Sequence, residues 1–489
     1  MARVFGAPIL ALALTMSTFL PARAVDWPLF GFDSARSSFN SSETTLTVAN
    51  VHGLREQWQT SLGAVADSTP ILLQRVRIKR TYRTMLYQTT MSGATLGIDA
   101  ASGSILWRFT TQGPHYTHST PAADPSGNAI YAAGLDGKVH KLNAATGREI
   151  RTSGFPARVT RMPSSEAIES PLNVANGYLY ATTSGYDGDA PPYDGHVVAV
   201  NLGSGKKTVF NSLCSDKHGL LGPNGCPQQR SGIWARGGAV VDPESSMNGR
   251  VYASTGNGDF NANAGGHNYG DSVVSLSADL GNLLGSYTPT DYQQLQNGDV
   301  DLGSTAPAML PVQSTSQTPL MLAQGGKDAV LKLVNRAALP GLGNELQLLE
   351  MPQGLFSAAA VWTDASKNAW LFLGFSYVVE AYQLKTNGSG QSKLALMWQS
   401  SPGQTNGEGT SPVVANGIVF VAFDGALFAL NAINGNVLWN SAKYGSSKSI
   451  GPVHWQSPIV VNGSVYCSDQ NGNLTAFALG SLRAPFLRR

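Results

Sequence analysis

Along most of the chain, short apolar runs alternate with turn dipeptides, and no sustained helical spacing appears. The clearest stretch runs from Ser411 to Trp439, SPVVANGIVFVAFDGALFALNAINGNVLW. Val413-Val414, Ile418-Val419-Phe420-Val421 and Ala426-Leu427-Phe428-Ala429-Leu430 are strand-sized. The Asn416-Gly417 and Asp424-Gly425 pairs between them suit tight hairpin turns. The same pattern returns from Ser119 to Ile150 and from Ser457 to Leu479. Each copy opens on Ser-(Thr)-Pro, and the fullest copies end in a turn that leads into a Trp strand. The unit therefore predicts a four-stranded antiparallel sheet. Trp107 and Trp439, after Ser104-Ile105-Leu106 and Asn436-Val437-Leu438, are placed to wedge between neighbouring sheets.

The strands that open successive units fall at Pro70, Pro121, Pro171, about Val240, Pro307, about Ala360, Pro412 and Pro458. A period of roughly 50 residues marks a repeat architecture, and four-stranded sheets repeated radially make a β-propeller. The expectation is an all-β fold, an eight-bladed β-propeller of four-stranded antiparallel sheets. Seven blades are the alternative, because units five and six are degenerate. Two consecutive units are longer than the rest. Their insertions, near residues 187–194, 214–236 and 259–301, concentrate Asp, Asn and Gly, and departures from a regular repeat are where function is expected.

Composition agrees with this. Charged residues are 13% of 489, against a usual ~25%, and Gly is 54, which disfavours coiled coils and helical solenoids. A net charge of +2 is read with no basic run, so nucleic acid is not an expected partner. Arg3, the apolar stretch Ala7 to Leu20 and the small-residue site Ala22-Arg23-Ala24 make residues 1–24 a signal peptide and 25–489 the propeller. The apolar stretch is too short and polar for a transmembrane anchor, so the protein is expected to be exported, periplasmic or extracellular. Cys214 and Cys226 flank a Gly- and Pro-containing loop and are candidates for a disulfide, worth roughly 3 kcal/mol in the entropic model. Cys467 reads as a buried small side chain. With no Cys-x-x-Cys, neither a c-type haem nor a zinc ribbon fits.

The repeat resembles the pyrroloquinoline-quinone (PQQ) repeat of quinoprotein dehydrogenases, nearest in pattern to polyvinyl alcohol dehydrogenase. Asp26-Trp27-Pro28-Leu29-Phe30-Gly31-Phe32-Asp33 through Trp58 is similar to that family's opening segment. The resemblance implies a quinone in the central funnel, bound to Ca²⁺, a hard cation that takes oxygen ligands. Asn257, in Ser254-Thr255-Gly256-Asn257, matches the family's amide ligand; the alternative is an Asn that only turns the chain. Asp299 and Asp301, in Gly298-Asp299-Val300-Asp301-Leu302-Gly303, are candidates for the catalytic base and a metal ligand, with solvated turn residues as the alternative. An extended Asp-x-Asp would point both carboxylates to one side. Lys327, in Gly325-Gly326-Lys327-Asp328, matches the cation over the quinone carbonyl. Trp234 aligns with the aromatic floor, or is another inter-blade wedge. Asp187 or Asp189 stands where the family has its acidic metal ligand.

The sequence also departs from the family. Pro191-Pro192 stand near the expected place of an adjacent Cys pair. His115 and His118 stand where an Arg is expected; two His three apart lack a third ligand and read as loop histidines. Asn40, Asn387, Asn462 and Asn473 are N-glycosylation acceptors in pattern only. The resemblance implies a quinoprotein dehydrogenase that oxidises an alcohol or polymeric alcohol by hydride transfer to Ca²⁺-bound PQQ. With no haem domain, electrons would leave to a separate acceptor, cytochrome c or quinone. The alternative is a non-catalytic propeller acting as a binding or scaffold protein in the cell envelope or outside the cell.

Overall fold

The Asn-Gly turns form hairpins as the pattern predicts. Asn416 and Gly417 both take left-handed φ, 46° and 76°, the backbone of the two-residue turn that matches strand twist. A computed structural model describes residues 1, 25–186, 190–444 and 449–480. The predicted signal peptide, apart from Met1, and residues 481–489 lie outside the described residues.

Eight four-stranded antiparallel sheets follow one another along the chain. Blade 1 spans residues 71–110, blade 2 122–158, blade 3 173–211 and blade 4 240–288. Blade 5 spans 308–350, blade 6 360–400 and blade 7 413–440. Blade 8 takes three strands from 459–479 and its fourth from Leu54–Ser61, which pairs antiparallel with Asn473–Leu479. A strand from near the start of the chain thus completes the last sheet, and hydrogen bonds close the ring. Eight blades replace the seven-blade alternative. Blades 5 and 6 are complete sheets although their sequences have drifted from the repeat. Two short pieces add parallel strands at sheet edges: Phe39–Asn40 on blade 7 and Gly341–Leu342 on blade 4.

The first strand of each blade is innermost, and the Ser and Thr of the Ser-(Thr)-Pro openings link neighbours around the axis. Ser119 Oγ donates to Ser170 O (2.8 Å), Ser170 Oγ to Ile233 O (3.0 Å) and Thr305 Oγ1 to Ser357 O (2.6 Å), and Ser254 Oγ, at the end of a second strand, donates to Thr305 O (2.6 Å). These hydroxyls satisfy backbone carbonyls where sheets converge too tightly for water, and buried carbonyls need a partner.

The Trp residues wedge as expected. Trp107 Nε1 donates to Ala144 O of blade 2 (3.0 Å), Trp398 to Ala432 O (3.0 Å), Trp439 to Leu54 O (3.2 Å) and Trp58 to Ala100 O (3.0 Å). Each ring sits on an outer strand, covers the next blade and spends its N–H on that blade's turn or, for Trp439, on the first residue of its outer strand. Cys214 and Cys226 are joined as a disulfide, and Cys467 is free and buried.

The segment 25–40 runs beneath the inner strands and closes the axis. Trp27 pairs with Leu72 in both directions, and Pro28 O, Ser34 O, Ser37 O and Ser38 O accept from Ala123, Val241, Val361 and Val414. Phe30 lies between two buried guanidinium groups, 5.8 Å from Arg36 and 5.6 Å from Arg236. No helix among the described residues is long and apolar enough to cross a membrane.

Candidate functional site

The site is assembled by the two long blades. After the strand Val251–Ser254, the chain turns through Thr255-Gly256-Asn257 and meets the segment that follows the helix Tyr292–Gly298. That helix, with Gln and Leu at its centre, uses good helix formers, and it was not foreseen from the repeat. It ends on Asp299, whose left-handed backbone (φ 54°, ψ 42°) is a conformation Asp tolerates. The two carboxylates of Asp299 and Asp301 therefore converge through a helix cap, not through the extended Asp-x-Asp that alternation predicted.

Asn257 locks this arrangement. Its backbone N–H donates to Asp301 Oδ1 (2.7 Å) and its side-chain Nδ2 to Asp299 Oδ1 (2.6 Å). The approach demands glycine: a Cβ on Gly256 would lie 2.6 Å from Asp301 Oδ1, and one on Gly303 would lie 2.5 Å from the Thr255 carbonyl carbon. Lys327 Nζ sits 2.6 Å from Asp301 Oδ2 and 3.8 Å from Asp299 Oδ1. The same ammonium lies 5.3 Å over the Trp234 ring. Asp299's side chain is 69% exposed and Asp301's 7%, so Asp301 is the sheltered carboxylate and Asp299 faces solvent. Burial pushes the Asp301 carboxyl above its ordinary range, against the opposing pull of Lys327. For Lys327, burial opposes the charge, but Asp301 outweighs it and holds the ammonium above its usual pKa.

Asp299, Asp301, Lys327 and Trp234 all line one cavity of roughly 480 Å³ at the axis. Asn257 is buried behind the two carboxylates. Asp187 and Asp189 lie outside the described residues. Among the described residues there is no group of three or more His, Cys, Asp or Glu placed to hold a metal ion. The carboxylates of Asp299 and Asp301 and the amide of Asn257 are the oxygen-bearing groups gathered here.

Sequence reasoning missed the opposite wall. Asp67 accepts from His454 Nδ1 (2.7 Å) and Gln470 Nε2 (2.8 Å). Glu408 accepts from Trp455 Nε1 (2.8 Å). The Trp455 ring lies 6.0 Å from Trp234 with their planes 30° apart, so the two indoles share the cavity. His118 is buried there, 3.6 Å from Glu169 Oε1 and 3.9 Å from Asp67 Oδ2. His115 instead is exposed against Ser164 O (3.1 Å) and the Tyr186 ring, so the pair diverges. Burial disfavours a charged His454, yet Asp67 and Glu408 outweigh it and raise its pKa. Burial raises Glu408. For Asp67, burial is overcome by His454, His118 and Arg236, and its pKa is lowered.

The missing signal was register. Asp67, His118 and Glu169 each stand immediately before the Ser of a Ser-(Thr)-Pro opening, while Trp455 stands two residues and Glu408 three residues before the Ser of theirs. Residues ahead of the innermost strand must face the axis. Arg236 fills the space under this wall, fully buried, with its guanidinium donating to Asp67 O (3.0 Å) and Trp455 O (3.4 Å).

The chemistry this geometry offers is a sheltered carboxylate beside a fixed ammonium, with flat aromatic walls around a space large enough for a small-molecule ligand. The comparisons with known proteins agree with the architecture. In structure the chain is similar to the quinohemoprotein alcohol dehydrogenase from Comamonas testosteroni, at 16% identity and TM-score 0.66, covering 95% of this chain and 82% of that one. It is similar to a europium-containing methanol dehydrogenase, at 15% identity and TM-score 0.64, covering 93% and 98%. It is also similar to BamB from Moraxella catarrhalis, at 13% identity and TM-score 0.52, covering 87% and 99%. At such identities these likenesses speak to the fold. No curated protein sequence matches the chain. Residues 391–483 match the family model described as outer membrane protein assembly factor BamB. Residues 27–338 match the family model described as glucose/ethanol/alcohol dehydrogenase, beta-propeller domain, and with most of its length matched the chain belongs to that PQQ-repeat family.

Proposed function

We propose that the protein is a quinoprotein dehydrogenase that oxidises an alcohol or polymeric alcohol in the axial cavity, with Asp301 as general base. The observation that carries this reading is the Asp301–Lys327 pair held over Trp234, with Asn257 and Asp299 fixed beside it. The residues present fit a flat quinone ring and a hard cation. Indole faces suit the ring, Lys327 an oxygen bearing negative charge, and the oxygens of Asp301, Asp299 and Asn257 a Ca²⁺ ion. When bound, pyrroloquinoline quinone with Ca²⁺ supplies a two-electron acceptor and a Lewis acid.

The chain's own residues do the rest. Asp301 accepts the alcohol's hydroxyl proton, as a base within hydrogen-bond reach must. Asn257 N–H fixes the orientation of that carboxylate. Lys327 supplies a positive charge where negative charge develops, and such preorganised charge acts without reorganisation cost. Trp234 and Trp455 exclude water from the faces of the cavity. Electrons would then leave to a separate acceptor, cytochrome c or a quinone. The leader-like residues 1–24 support an exported protein, periplasmic or extracellular.

The test is dye-linked oxidation of short-chain and polymeric alcohols after loading the purified protein with PQQ and Ca²⁺. Activity that is lost in Asp301→Asn supports the reading. Absence of both quinone binding and dye reduction refutes it. A second reading, a non-catalytic binding or scaffold propeller of the envelope, is favoured by one observation: Lys327 is already paired with two carboxylates. It predicts that the cavity takes up no quinone and that no dye is reduced in the same experiment.

A further inference from the structure

The overall charge of +2 conceals one concentrated patch. Arg75, Arg77, Lys79, Arg80 and Arg83 fall within nine residues, and no Asp or Glu occurs from Gln74 to Ile98. Those five are drawn from 33 Lys and Arg against 31 Asp and Glu. Without them the remaining charge would be −3, so the sequence-level reading of no basic run is corrected here.

All five are exposed and sit on one hairpin of blade 1, where Ile71–Ile78 pairs with Thr81–Thr89. The first strands of blades 7 and 8 are three residues long before their turn, Val413–Ala415 and Ile459–Val461. Ile71–Ile78 has eight residues, about five more, which at ~3.3 Å per residue extends the hairpin by roughly 16 Å. The strand begins just after Asp67 at the axial cavity, so its far turn projects from the opposite face of the propeller.

Arg83 pairs with Asp99, and Arg75 lies 5.0 Å over the exposed Tyr82 ring. Arg77, Lys79 and Arg80 make no ion pair among the described residues. Beneath them lies a groove of roughly 790 Å³ with an apolar floor of Ile78, Leu106, Trp107 and Ala145. Leu106 and Tyr82 are exposed, at 40% and 60%. Unpaired cations above an apolar floor match an amphiphile with an anionic head. Nucleic acid would use the cations but not the floor, and one narrow hairpin offers a folded protein too little area for a standard interface.

We propose that this hairpin docks the protein on a membrane surface rich in anionic phospholipid, with the axial cavity facing away from the bilayer. Basic residues near an anionic surface add their attractions, and the apolar floor adds burial at the headgroup boundary. The full chain is incubated with vesicles of phosphatidylcholine alone, or with 30% phosphatidylglycerol, and sedimented. Binding to the anionic vesicles only is expected. The triple variant Arg77→Ser, Lys79→Ser, Arg80→Ser is expected to reduce partitioning roughly a hundredfold. Removing the same charge from blade 6 (Lys367→Ser, Lys385→Ser, Lys393→Ser) should leave it within about twofold, and unchanged circular dichroism establishes that both variants fold. No partitioning to anionic vesicles, equal loss in both triple variants, or retention on DNA without vesicle binding would overturn the inference. This test requires no quinone, so its outcome is separate from that of the redox reading.

Discussion

Asp301 owes its position to a handful of contacts, and each is open to a substitution. Gly256→Ala would place a methyl 2.6 Å from Asp301 Oδ1, breaking the Asn257 N–H contact while leaving every proposed polar group present. Alcohol oxidation by the loaded protein is expected to fall at least a hundredfold, within the range lost when a reacting group is misplaced by about 1 Å. An unchanged rate in dye-reduction assays would contradict the positioning argument. The raised Asp301 pKa carries a pH consequence for the unloaded protein: its carboxyl, followed by infrared or NMR titration against an Asp301→Asn control, should titrate above the ordinary carboxylate value, and a midpoint at or below that value would contradict the burial argument. Asp271, just behind, adds a stability effect. Its Oδ1 accepts from Leu302 N (3.0 Å), Oδ2 is buried without a partner, and burial pushes its pKa up to about 8. Between the ordinary value of 3.8 and about 8 the folded protein keeps a proton that the unfolded chain releases, so this group's contribution to stability falls as pH rises through that window. Urea midpoints at pH 5 and pH 8 should differ less in Asp271→Asn than in the parent; an identical difference would remove Asp271 from the account.

Among the elements, the outer-strand Trp residues and the inner-strand hydroxyls hold neighbouring blades together. Trp439 is fully buried between blades 7 and 8. Trp439→Ala should cost about 3–5 kcal/mol, read as a shift of the denaturation midpoint. These parts were legible in the sequence, because β-prone runs, Asn-Gly turns and Trp positions are local and repeat. The approach of Asp299 to Asp301 was legible only in outcome. Its cause, a helix at Tyr292–Gly298 with a left-handed cap, lies in an insertion that has no repeat to set its geometry. Asp67, Glu408, His454 and Trp455 went unread for another reason. Each is unremarkable within its own blade, and they form a wall only when the ring brings residues hundreds of positions apart to one axis.

At the scale of the molecule, eight blades, a closing strand from Leu54–Ser61 and the segment 25–40 make a cup with a floor. Arg236 and Arg36 clamp Phe30 in that floor, and the cavity above it gathers Asp301, Lys327, Trp234 and Trp455. The central claim is that this cup holds a quinone and a hard cation. The most direct measurement is thermal denaturation of the purified protein across a titration of pyrroloquinoline quinone, with Ca²⁺ present or chelated. A ligand that binds only the native state must raise its apparent stability. The account predicts a saturable rise in Tm that needs both components and is lost in a Trp234→Ala, Lys327→Met double variant. A flat titration, or a rise that survives the double variant, would contradict it.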